Sequence, residues 1–236
     1  MNKKHLTYLL ALLVLTSATA AFCQDIEPNE LSGKIITEGK TVTYSVFDDR
    51  MLLDGYAQKY SALPQEILIE MIKDDTLNSY KIAAAVRVFN NNFSNELVSR
   101  EKKIAEKFLL RRLSRTESPF VQVEIMFALC RMDRYRYFNS MIPPLIQKLN
   151  HYNSIVNELA SSSLDTLIKE GSNRSREARI VFNTLRKILF LSRKRLEKVT
   201  APDPKLSRKL KLLRWSIKVL GTQELKRLPK EVLNLL

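Results

Sequence analysis

FLLRRLSRTESPFVQVEIMFALCRM, residues Phe108–Met132, is the stretch from which the fold is read. It starts as the apolar end of one helix, Phe108 to Leu113, breaks over Ser114–Ser118, and restarts with Ser118 in the capping position and Pro119 at the first helical position. Proline suits that position because first-turn amides have no acceptor within the helix. From there Val121, Ile125, Ala128, Leu129 and Met132 recur at helical spacing and predict one buried stripe. The segment therefore reads as a helical hairpin.

Working outward, the same plan recurs on both sides. Toward the N-terminus the pattern predicts helices over Asp49–Tyr60 and Gln65–Lys73, then a third capped by Asn78 and closed by Asn90-Asn91-Asn92. Another, from near Ser99, leads into the opening stretch. Downstream, a hairpin is expected to begin at Ser140 with Pro143-Pro144 in its first turn and to bend at Asn150–Asn153. Its second helix carries Val156, Leu159, Ala160, Leu164 and Leu167 inward, with Gly171 as the stop. A fourth pair joins Arg176–Lys198 to Pro204–Leu220, Gly221 stops it, and a short helix near Pro229–Leu235 ends the chain. Composition agrees: 5 glycines and 8 prolines are few for a chain of β-turns, while 45% hydrophobic with 27% charged residues is an ordinary globular balance. The predicted class is all-α.

The last apolar residues of the four first helices, Ile72, Leu113, Leu149 and Leu189, are spaced by 41, 36 and 40 residues. With Leu68–Phe89 (LIEMIKDDTLNSYKIAAAVRVF), Phe108–Met132 and, more weakly, Leu145–Ile168 and Leu185–Leu220, the chain resembles the HEAT and armadillo-like α-helical repeats. The resemblance implies a right-handed α-solenoid of about four antiparallel helix pairs. It also implies the family's usual role, a scaffold that binds a protein or peptide. The chain departs from the pattern where the turn Asp is missing from the second and third pairs and where Ser192–Pro202 lengthens the fourth. A plain helical bundle meets the same spacing and loop lengths.

Residues 1–23 have the order of a secretory signal peptide: Lys3 and Lys4, an apolar run Leu6–Leu15, then small residues. Cleavage after Cys23 would leave a periplasmic or secreted protein; the alternative is a lipoprotein anchored at Cys23. Residues 24–47 read as an acidic tether or a small β-hairpin around Glu38-Gly39, and 48–236 as the helical-repeat domain.

Motifs for catalysis do not occur: there is no G-x-S-x-G, H-E-x-x-H, glycine-rich phosphate loop or C-x-x-C. Histidine is limited to His5 and His151, and cysteine to Cys23 and Cys130, so no enzyme, no cofactor and no metal centre are expected. Asp74-Asp75 is expected to cap a helix, and Cys130 to be a buried small hydrophobe.

Charge is the sharper signal. Residues 169–236 hold 19 of the 39 Lys/Arg and 6 of the 25 Asp/Glu, hence 13 of the 14 surplus positive charges. On the helix 176–198, Val181, Leu185, Ile188 and Leu196 share one side; Arg176, Arg179, Arg186, Lys187, Arg193 and Lys194 share the other, with Phe190 among them. On the next helix Leu206, Leu210, Leu213, Ile217 and Leu220 form the seam, Lys211, Arg214 and Lys218 flank it, and Trp215 lies opposite. These cations and Phe190 form a candidate surface for a polyanion, while solvated charge with Trp215 packed on a neighbour is the plainer account. Export argues against nucleic acid and for anionic envelope lipid, polysaccharide or a protein. Two functions follow: a non-catalytic exported scaffold for a protein or peptide, or an envelope-surface binder attached through its basic C-terminal helix pair.

Overall fold

The computed structural model describes the strands Gly33–Thr37 and Lys40–Tyr44 and residues 49–170, 174–199 and 201–236. The leader, Cys23, most of the tether, the turn at Glu38-Gly39 and the stop at Gly171 lie outside the described residues. The chain divides after Asp48 into two units. In the first, β1 (Gly33–Thr37) pairs antiparallel with β2 (Lys40–Tyr44), in register from Gly33 opposite Tyr44 to Thr37 opposite Lys40.

In the second unit the described elements are all helical. They are α1 (Asp49–Tyr60), α2 (Gln65–Lys73), α3 (Ser79–Asn92), α4 (Ser99–Arg115), α5 (Pro119–Met132), α6 (Arg134–Gln147), α7 (Ser154–Glu170), α8 (Arg174–Leu196), α9 (Pro204–Leu220) and α10 (Lys230–Leu233). Short 3-10 turns follow α6 at Lys148–Asn150 and α9 at Thr222–Arg227. Local chemistry sets these ends. The Asn78 side chain accepts from the Tyr80 amide at 2.8 Å and the Asp203 side chain from the Leu206 amide at 2.6 Å, each satisfying a free donor of a first turn. Gly221 ends α9 at φ 103°, ψ 155°, backbone that side-chain-bearing residues avoid.

Ser118 stands at the N-cap of α5 with Pro119 opening the helix, as expected, though its hydroxyl makes no capping bond; the Gln122 side-chain amide donates to the Thr116 carbonyl at 2.9 Å. Two local expectations are corrected. Asp74-Asp75 does not cap α3. Asp74 accepts from the Thr76 amide and hydroxyl at 2.8 and 2.7 Å, bonds that hold its carboxyl below the usual range, and Asp75 pairs with Arg112 and Arg115 across to α4. The third hairpin begins at Arg134, not Ser140, because the Asp133 side chain accepts the Arg136 amide at 3.0 Å and starts the helix there. Pro143 and Pro144 then fall inside α6. The carbonyls they leave without an amide partner, at Asn139 and Ser140, belong to exposed residues, where water can serve.

The helices pack in order. α1 lies against α3, α3 against α5 and α5 against α7, while α2 lies against α4 and α6 against α8. α5 sits in the middle, touching α3, α4, α6 and α7. Its expected stripe is buried, and so are Phe120, Val123, Met126 and Cys130 on its other faces. Cys130 has no exposed surface, and burial pushes its thiol up to about 12, so it packs as a hydrophobe. α8 closes the C-terminal end against α6, α9 and α10.

Candidate functional site

The row α1–α3–α5–α7 does not run out straight. Its two ends meet: the Arg50 guanidinium is 3.3 Å from Glu158 of α7, and the Asn153 amide donates to Asp49, whose other oxygen accepts the Tyr80 hydroxyl at 2.6 Å. Burial and that carboxylate push the Tyr80 phenol up to about 12. The four helices therefore surround an open pocket of about 590 Å³, with Arg208 of α9 at its margin.

The lining is charged with both signs. Arg87, in the small-residue run of α3, bonds Glu124 through Nε at 2.9 Å and Nη2 at 2.7 Å, and Asp54 through Nη1 at 2.6 Å. Asp54 also meets Arg50 at 3.6 Å, Arg50 meets Glu158, and Glu158 meets Arg208 at 3.6 Å. Arg208 finally bonds the buried Asn157, whose amide donates to the Leu149 carbonyl. One chain of hydrogen bonds and ion pairs thus crosses five helices. Glu124 is its buried carboxylate, 4% exposed, and burial raises its carboxyl against the opposing pull of Arg87. Phe127, Leu159, the hydroxyls of Ser161-Ser162-Ser163 and Thr166 complete the wall. Of these groups the sequence reading named Leu159, and placed it inward with the core; it is half-buried and faces the pocket. The available signal was Glu124 itself, a carboxylate within VQVEIMFAL where every other turn is apolar. Among the described residues no group of three or more His, Cys, Asp or Glu is placed to hold a metal ion.

The residues that the sequence did single out are not one patch. At the start of α8, Arg176 lies over the Tyr135 ring at 4.7 Å and Arg179 is paired with Glu224 at 2.5 Å, so both are engaged with α6 and the second 3-10 turn. On α9, Lys211 reaches Asp165 at 2.7 Å, Arg214 donates to the carbonyls of Leu235 and Leu236, and Lys218 is exposed. Trp215 is half-buried. The second half of α8 differs. Lys187, Phe190 and Lys194 are exposed, Arg186 and Arg193 half-buried, and the Arg193 guanidinium covers the Phe190 ring at 4.2 Å. The inward seam uses Leu189, 1% exposed, where Ile188 was expected; Ile188 is half-buried. Leu191, Arg195 and Lys198, which the sequence reading passed over, are exposed beside the basic set.

Compared with known proteins, the chain matches no family model, no curated protein and no solved structure. No helix among the described residues is long and apolar enough to cross a membrane.

Proposed function

We propose that this is a non-catalytic helical-repeat scaffold, exported to the cell envelope, whose pocket between α1, α3, α5 and α7 receives a protein or peptide segment. The single observation that carries the reading is that pocket: open, about 590 Å³, and lined by side chains of both charge signs around a serine-rich wall. Such a lining suits a polar chain segment, whose own carboxylates and ammonium or guanidinium groups can exchange partners with Arg50, Glu158 and Arg208. The order of helix contacts, each inner helix against the next but one in sequence, supports a HEAT-like repeat, bent until its ends touch. The pocket carboxylates serve as counter-ions to arginines, which supports binding over proton transfer.

Ser162 is exposed and lines the pocket, so Ser162→Trp fills it without removing an ion pair. Pull-down from envelope extract at low and high salt should recover a partner with the wild type. The variant should lose it, with an unchanged thermal melt. Recovery of the same partner by Ser162→Trp would refute the pocket as the binding site.

A further inference from the structure

Taking about 100° per residue, Leu185, Leu189 and Leu196 define the buried seam of α8, and Lys187, Leu191 and Lys194 fall directly opposite, flanked by Phe190 and Arg195. Leu191 is 76% exposed and Phe190 50% exposed, adjacent in sequence and on either side of the outermost line of the helix. Around them Arg186, Lys187, Lys194, Arg195 and Lys198 form no ion pair with any described residue, whereas Arg87, Arg134 and Arg179 elsewhere in the protein are all paired. Arg193 lies over Phe190 and hydrogen-bonds the Phe190 carbonyl at 3.1 Å, which fixes that ring within the cationic ring of side chains. One carboxylate, Glu197, stands nearby.

We propose that the second half of α8 lies flat on an anionic lipid bilayer, with Phe190 and Leu191 inserted at the headgroup boundary and Lys187, Lys194, Arg195 and Lys198 against the lipid phosphates. Two features select this partner. The unpaired cations require a surface of negative charge, so a neutral bilayer does not suffice. The pair of bare apolar side chains gains only where an apolar layer lies directly beneath the charged one, which a polysaccharide or a soluble acidic chain does not provide. Lysine and arginine suit the geometry because their stems can lie along the boundary while the charged ends stay at phosphate depth. The surface is separate from the pocket, to which α8 contributes no lining residue, so the outcome here is independent of the scaffold reading.

The test is sedimentation of the full chain with vesicles of phosphatidylcholine alone or with phosphatidylglycerol at about one-third. Wild type, Lys187→Ser/Lys194→Ser and Phe190→Ser/Leu191→Ser are compared, and thermal melts confirm that these exposed substitutions leave the fold intact. The expected result is an excess of binding to the anionic vesicles over the neutral ones. Each double variant should reduce that excess about tenfold or more, and salt should weaken it. Phe190→Trp supplies a direct readout of insertion, a blue shift of emission on anionic vesicles alone. Equal binding to both vesicles, or an anionic excess unchanged in the variants, overturns the proposal. So does the absence of the shift, or binding to soluble polygalacturonate that Phe190→Ser/Leu191→Ser leaves intact.

Discussion

The Arg87 guanidinium holds two carboxylates of very different cost. Glu124 is almost wholly buried, Asp54 is half-exposed, and the same arginine bonds both. Removing the buried partner strips Nε and Nη2 of Arg87 of their acceptor and leaves Asp54 as its one carboxylate, so Glu124→Ala should lower unfolding free energy by about 3 kcal/mol. Asp54→Ala, at a solvent-screened site, should cost about 1 kcal/mol or less. Urea titrations of the two variants separate these figures, and equal losses would show that the chain of ion pairs is not organised around Glu124. Cys130 gives a second test. With its thiol at about 12 and no exposed surface, it should resist iodoacetamide at pH 8 in the native protein and react in denaturant. The sequence showed that Cys130 would be buried, because its neighbours are apolar at helical spacing. It did not show the partner of Glu124, since Arg87 is 37 residues away and only the packing of α3 on α5 brings them together.

At the scale of the element, the legible ends were those with strong local chemistry. Asn78, Asp203-Pro204 and Gly221 each bound a helix where the sequence places the boundary, because caps and left-handed backbone depend on a few adjacent residues. Gly221→Ala should destabilise by about 1–3 kcal/mol through backbone strain alone. A Cβ there would meet nothing nearer than Gln223 Cγ at 4.0 Å, so a crystal structure of the variant should show a shifted φ rather than displaced neighbours. A loss of stability below about 0.5 kcal/mol would argue that the turn relaxes freely. α6 was misread for a physical reason. A proline pair usually marks a first turn, yet here Asp133 had already begun the helix, and the carbonyls opposed by the prolines belong to exposed residues. Periodicity likewise assigned α5 one inward stripe; only the assembled fold shows that neighbours cover it on its other faces as well.

Across the whole molecule, the order of helices was readable because short turns and amphipathic stretches are local, while the bend of the row was not. The contacts that close it, Arg50 to Glu158 and Asp49 to Asn153, span more than a hundred residues and join polar side chains that no local pattern links. The arrangement predicts a gradient of local stability. α5, with contacts on α3, α4, α6 and α7, should exchange its amide hydrogens most slowly, and α10 and the ends of α1 and α9 fastest. Uniform protection across the helices would indicate a single cooperative unit instead. The absence of any α8 residue from the pocket wall has a kinetic meaning. A protein resting on a bilayer through α8 keeps its pocket open to a second ligand, so a partner held on the same membrane would be met by search in two dimensions rather than three. Two weak contacts then act as one strong one, with an effective concentration set by the lipid surface rather than by the surrounding fluid.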